Sequence, residues 1–144
     1  MLLDGISVKG SYHDINQDSF AVCPLEDGFV AALSDGLGSK KMSHFGSQAL
    51  CRSAVEIAKQ MRSELRTVNP ECYIAKVHSR WKKLISKYLI TDCYATMLIF
   101  VKYADRAFAA RLGDGFIGIF IDNQVKVLFD RKEDYFANET DCLA

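Results

Sequence analysis

The chain has 144 residues, 49% hydrophobic and 25% charged, an ordinary globular composition with enough length for one domain and a real core. Its 18 Lys+Arg balance 18 Asp+Glu, so the net charge is zero, which argues against binding nucleic acid or an anionic membrane through bulk electrostatics. No apolar run reaches the roughly 20 residues of a membrane span, and the Met1-Leu2-Leu3-Asp4 start does not read as a signal peptide. Five cysteines (Cys23, Cys51, Cys72, Cys93, Cys142) without a C-x-x-C spacing read as reduced thiols, and the expected compartment is the cytoplasm.

In chain order, Asp4–Gly10 and Ser19–Cys23 are expected to form short strands on either side of a polar loop, Ser11–Asp18. Gly28–Leu33 is a continuous apolar run of strand length. It stops at Ser34-Asp35-Gly36-Leu37-Gly38-Ser39, where two glycines permit a tight turn. A helix follows, because Leu50, Ala54, Ile57, Ala58, Met61 and Leu65 recur at steps of three and four. A second helix has Asn69 as N-cap, Pro70 in the first helical position and Glu71 at the positive end of the dipole. Its stripe is Ile74, Val77, Trp81, Leu84, Ile85 and Tyr88. The period then changes. Tyr94–Tyr103, Arg106–Leu112, Phe116–Ile121 and Val125–Phe129 are apolar or alternating runs divided by turn residues, which predicts a four-strand antiparallel meander. The fold class is α+β.

Three acidic positions lie at strand ends beside small residues: Asp18 in Asn16-Gln17-Asp18, Asp35 before Gly36, and Asp114 within Gly113-Asp114-Gly115. Carboxylates and exposed backbone carbonyls are the oxygen ligands that Mg²⁺ and Mn²⁺ prefer. Each position alone is also an ordinary turn. Gly36–Lys41 offers a second chemistry, a phosphate cradled by backbone amides and two lysines, although it lacks the spacing of a P-loop. His13, His44 and His78 are not spaced as metal ligands, and only His13 lies near an acidic locus. Asn138-Glu139-Thr140 matches a glycosylation sequon without an export signal and is read as noise.

Taken in order, these pieces resemble the metal-dependent serine/threonine phosphatases of the PP2C (PPM) family, bacterial type. The matching segments are Asn16-Gln17-Asp18-Ser19-Phe20, the run from Val30 through Asp35-Gly36 to Ser39, and a second helix bearing Trp81. Ala95-Thr96-Met97-Leu98, Arg111-Leu112-Gly113-Asp114-Gly115 and Phe136-Ala137-Asn138-Glu139-Thr140 complete the series. The resemblance implies an α-β-β-α sandwich, of which residues 1–144 are the N-terminal portion, with two helices and about seven strands. It also implies two or more Mg²⁺ or Mn²⁺ ions held by Asp18, Asp35 and the Gly36 carbonyl, with Asp114 at a weaker further ion. Hydrolysis of a phosphoserine or phosphothreonine ester of a phosphoprotein by a metal-activated water would follow.

Four departures accompany the resemblance. Gln17 stands where the family often has Glu, and Leu37 where eukaryotic members have His. His13 occupies the place of an arginine that grips the substrate phosphate, and an imidazole is no substitute for a guanidinium fork. The family's later Ser-Asp-Gly and Asp-Asn motifs have no counterpart after Asp114, since Asp122-Asn123 reads as a hairpin turn. The expected function is therefore a phosphatase with little activity in this chain alone. The alternatives are a catalytically impaired phosphatase-like binding or regulatory module, and a phosphate- or nucleotide-binding domain built on Gly36–Lys41. An incompletely covered meander, with Ile117, Ile119, Phe120, Val127 and Phe129, is expected to drive self-association, most simply as a homodimer.

Overall fold

A computed structural model describes residues 1–12, 14–129 and 142–143. Six strands and two helices follow in the order β1 (Ser19–Leu25), β2 (Gly28–Ser34), α1 (Ser43–Gln60), α2 (Pro70–Leu84), β3 (Met97–Tyr103), β4 (Arg106–Leu112), β5 (Ile117–Ile121) and β6 (Gln124–Leu128). A 3₁₀ turn, Ile90–Asp92, precedes β3.

The first four strands make one antiparallel sheet in the order β1-β2-β3-β4. Alternation along β2 and β3 assigns its two faces. Val30, Ala32 and Ser34 on β2, with Met97, Ile99, Val101 and Tyr103 on β3, are buried against the helices. α1 packs on β1 and β2, and α2 lies against α1 and the β4 side. The helical stripes expected from periodicity form the core between them: Leu50, Ala54, Ile57 and Ala58 from α1, and Val77 and Trp81 from α2.

Polar bonds hold the layers in register. The Trp81 indole donates to the Gly46 carbonyl at 3.0 Å, and the Tyr73 hydroxyl donates to the Ala54 carbonyl at 2.7 Å. Arg80 bridges α2 to Glu56 of α1 at 2.6 Å. A Cβ on Gly46 would overlap the Cys93 carbonyl, so only glycine lets α1 start this close to the chain entering β3. Asn69 caps α2 as expected, accepting from the Glu71 amide at 3.0 Å.

β5 and β6 pair only with each other among the described strands. Their hairpin lies across the other face of the four-stranded sheet, leaving a groove between Phe29, Ala31, Leu33, Leu98 and Phe100 on the sheet and Ile117 and Ile119 on β5. The layering is thus helices, sheet, hairpin: three layers of the expected α-β-β-α sandwich, with no second helical layer among the described residues.

Two expectations are corrected. Asp4–Gly10 forms no strand, so six strands are described rather than about seven. Ile6 and Val8 are 84% and 74% exposed, and the segment has no ladder partner among the described residues. The four-strand meander is divided, because the chain leaves β4 through Gly113 at φ 110° and crosses to the other face before β5 begins. The Asp122-Asn123 turn behaves as expected, with both residues at positive φ (51° and 59°), the pattern of a two-residue hairpin loop. The Phe136–Thr140 segment and the sequon within it lie outside the described residues.

Candidate metal centre

The acidic positions converge at one end of the sheet. Asp18 immediately precedes β1 and Asp35 immediately follows β2, and Ser19 and Ser34 are register partners, so antiparallel pairing alone sets the two aspartates side by side. Asp114 comes from the loop after β4 at the same end. All three line a cleft of about 310 Å³ together with Ser34, Thr96, Leu98 and Gly115. The Ile6–Val8 stretch forms a wall of the cleft, which gives the segment wrongly expected to be a strand a place beside the site.

The backbone around the two aspartates is pinned from several directions. The Gln17 carbonyl accepts from the Gly36 amide at 3.1 Å and from the buried Ser47 hydroxyl of α1 at 2.6 Å. The Asn16 side chain accepts from the Asp18 amide at 3.1 Å and donates to the Ser7 hydroxyl at 2.8 Å. Thr96 clamps the other strand end: its hydroxyl accepts from the Asp35 amide at 2.8 Å, and its amide donates to the Asp35 carbonyl at 2.8 Å. Its own carbonyl takes the Ser34 hydroxyl at 2.6 Å. A Cβ on Gly36 would stand 2.6 Å from the Gln17 carbonyl and 2.8 Å from that of Ser43, so the close approach of these segments requires glycine. On the Asp114 side, the Arg111 guanidinium donates to the Gly115 carbonyl at 3.3 Å and to that of Phe129 at 2.8 Å, tying the loop to the end of the hairpin.

Electrostatics mark the same pair. Asp35 is pushed up from 3.8 to about 6 by partial burial, by a shared hydrogen bond with Asp18, and by the negative charges of Asp18 and Asp114. Two carboxylates in hydrogen-bonding contact resist joint ionisation. A divalent cation removes that cost, and an all-oxygen donor set is the kind Mg²⁺ and Mn²⁺ select, so the chemistry of the residues fits such an ion. Asp18 and Asp35 meet and Asp114 stands further off: among the described residues no three His, Cys, Asp or Glu side chains close into a ready-made cage.

A family model described as protein phosphatase 2C matches residues 11–144. The chain belongs to the protein phosphatase 2C family. No individual curated protein matches it. Within the protein phosphatase 2C frame, the structure places Asp18, Asp35, Gly36 and Asp114 at one sheet end, while His13 lies outside the described residues. Sequence reasoning placed Thr96 in a matching segment but missed its role as a clamp of the site, and it missed Ser47, the other clamp, altogether. Their hydroxyls bond to backbone far away in sequence, and a lone Ser or Thr carries no pattern announcing such a partner.

Proposed function

We propose that this chain is the N-terminal portion, residues 1–144, of a single metal-dependent protein serine/threonine phosphatase domain. The observation that carries the reading is the contact between Asp18 and Asp35, which leaves Asp35 protonated well above the usual carboxylate range unless a cation neutralises the pair. Asp18, Asp35 and the Gly36 carbonyl would hold Mg²⁺ or Mn²⁺, and Asp114 would serve a weaker further ion. When bound, the ions supply Lewis-acid polarisation of the phosphoryl group and lower the pKa of a water. The chain's own residues fix the ligands: Thr96 and Ser47 hold the two strand ends so that the carboxylates need not reorganise. Ile6 and Val8 add an apolar wall on one side of the cleft. His13 is assigned to the substrate phosphate, the weaker grip noted above.

The substrate class is a phosphoserine or phosphothreonine phosphoprotein. With two side-chain ligands in contact and a third standing off, ion affinity and turnover of this chain alone are expected to be low. The compartment that fits cysteines kept out of disulfides is the cytoplasm; among the described residues no helix is long and apolar enough to cross a membrane. Phe120, Val125 and Val127, exposed on one face of the hairpin, support the association of two copies. The test is phosphate release from a phosphothreonine peptide with Mn²⁺. The expected result is weak turnover, abolished by EDTA and by Asp35→Asn. Turnover unchanged in EDTA or in the variant refutes the reading.

A further inference from the structure

Beside the carboxylate cleft runs a strip of lysines and aromatic rings that the proposed chemistry does not use. The strip follows two segments laid side by side. The Leu37 amide donates to the Tyr94 carbonyl at 3.0 Å and the Met42 amide to the Asp92 carbonyl at 3.0 Å, so residues 37–45 run along residues 88–94. At the end nearer the cleft, the Lys40 ammonium sits 5.2 Å over the Tyr94 ring. At the far end, Phe45 and Tyr88 stack at 4.8 Å, and the Lys87 ammonium lies 5.0 Å over Tyr88 and 5.9 Å over Phe45. Lys41 is exposed between them. Among the described residues the ion pairs all use arginine, and Lys40, Lys41 and Lys87 pair with no carboxylate. Asp92, half-buried beside Cys93, is the acid on the strip and leaves it net positive.

We propose that this strip is a docking surface for acidic residues flanking the phosphorylated residue of the substrate. Three observations favour carboxylates as the occupant. First, Lys40 and Lys87 are held over rings, so ordering them costs less when an anion arrives, and each keeps its N–H donors for it. Second, Lys40 over Tyr94, Lys87 over Tyr88 and the Phe45–Tyr88 stack occupy ring faces that single-stranded nucleic acid would need as open stacking platforms. The strip contains no arginine, and three lysines on a chain of zero net charge are a small footprint for a phosphate backbone or a lipid surface. Third, the strip is continuous with the cleft. The Thr96 amide bonds the Asp35 carbonyl and the Leu37 amide bonds the Tyr94 carbonyl, so Tyr94 stands two residues from the site, about 7 Å at strand rise. An extended peptide with its phosphorylated residue in the cleft would reach Lys40 within two or three residues and Lys87 some residues beyond.

The inference names a substrate preference for the proposed phosphatase and rests on that reading for its purpose. Its test does not depend on metal or turnover. A fluorescein-labelled, unphosphorylated peptide with four glutamates is titrated by anisotropy in EDTA at low salt, beside a counterpart with glutamine at those positions. The acidic peptide should bind about tenfold tighter, with an affinity that falls as salt rises. The triple variant Lys40→Gln, Lys41→Gln, Lys87→Gln should erase the difference, and Lys87→Glu alone should weaken acidic-peptide binding. Lys59→Gln, on the exposed last turn of α1, should leave it unchanged, and thermal melts should show all variants folded. Equal binding of the two peptides, or an undiminished preference in the triple variant, overturns the proposal. So does tighter strip-dependent binding of anionic phospholipid vesicles or single-stranded RNA. A preference that survives in EDTA while phosphatase activity proves absent would keep the docking surface and discard the enzyme.

Discussion

Replacing Asp35 by asparagine should stabilise the metal-free protein while removing its response to Mn²⁺. Asp35 moves from 3.8 to about 6 on folding because burial and the charges of Asp18 and Asp114 oppose its ionisation. The folded state therefore binds its proton more tightly than the unfolded chain, and stability falls as pH rises from about 4 to about 6, then levels off. At full weight that displacement is about 3 kcal/mol. The carboxylate stands on an exposed strand end, so solvent screening reduces the figure to about 1 kcal/mol. An asparagine amide can donate to Asp18 where two carboxylates repel. In EDTA at pH 8, Asp35→Asn should melt about 3 °C higher than the parent, since 1 kcal/mol is worth about that much at this size. The advantage should shrink as pH falls below about 6 and be largely gone near pH 3.5, where Asp35 is protonated in the folded state and mostly protonated in the unfolded one. Added Mn²⁺ should raise the melting temperature of the parent but not of the variant, because only the parent has a ligand whose binding couples to folding. Calorimetric melts across pH 3.5–8, with and without Mn²⁺, give all of this in one series. An equal or lower melting temperature for Asp35→Asn in EDTA at pH 8, or an advantage independent of pH, refutes the account of a strained carboxylate pair.

Three further outcomes follow from other contacts. Thr96→Val keeps the side-chain shape but leaves the Asp35 amide without its hydroxyl acceptor, costing about 1–3 kcal/mol of stability and weakening Mn²⁺ binding, read by melting and calorimetric titration. Trp81→Phe removes the donor to the Gly46 carbonyl and opens space between α1 and α2, for a loss of about 2–4 kcal/mol in a denaturant titration; a loss below 1 kcal/mol would mean the indole bond does not hold the helices. In a thiol-reagent time course on the native protein, exposed Cys72 should react first. Cys51, buried and pushed up to about 12 by desolvation, should stay silent until unfolding; early labelling of Cys51 would contradict its packing beneath β1 and β2.

The helices were legible because their signals are local. The stripe from Leu50 to Ala58, the Asn69-Pro70-Glu71 start and the Asp122-Asn123 turn each lie within a few residues, and propensity and burial agree there. Tyr73 escaped the sequence reading although it is fully buried, because its hydroxyl finds the Ala54 carbonyl on a different helix. The separation of β5-β6 from the main sheet was not legible either. A strand's partner depends on where the preceding loop points, and Gly113 turns the chain away at a positive φ that the sequence permits without requiring. Asp4–Gly10 failed for the same kind of reason: strand propensity without a neighbour makes no strand. The acidic positions were visible as strand-end aspartates, whereas their meeting in space is a product of β1–β2 register.

The central claim is that Asp18 and Asp35 form a divalent-cation site, and Mn²⁺ titration of the ¹⁵N-labelled protein tests it most directly. Paramagnetic broadening falls off steeply with distance, so the first amide signals lost locate the ion. The account predicts early loss at Asp18, Asp35, Gly36 and Thr96, later loss around Asp114, and sharp signals along α2. The same titration of Asp18→Asn and Asp35→Asn should leave the Asp18–Thr96 signals intact at equal Mn²⁺. Broadening centred elsewhere in the parent, or unchanged broadening of the cleft in both variants, would contradict it.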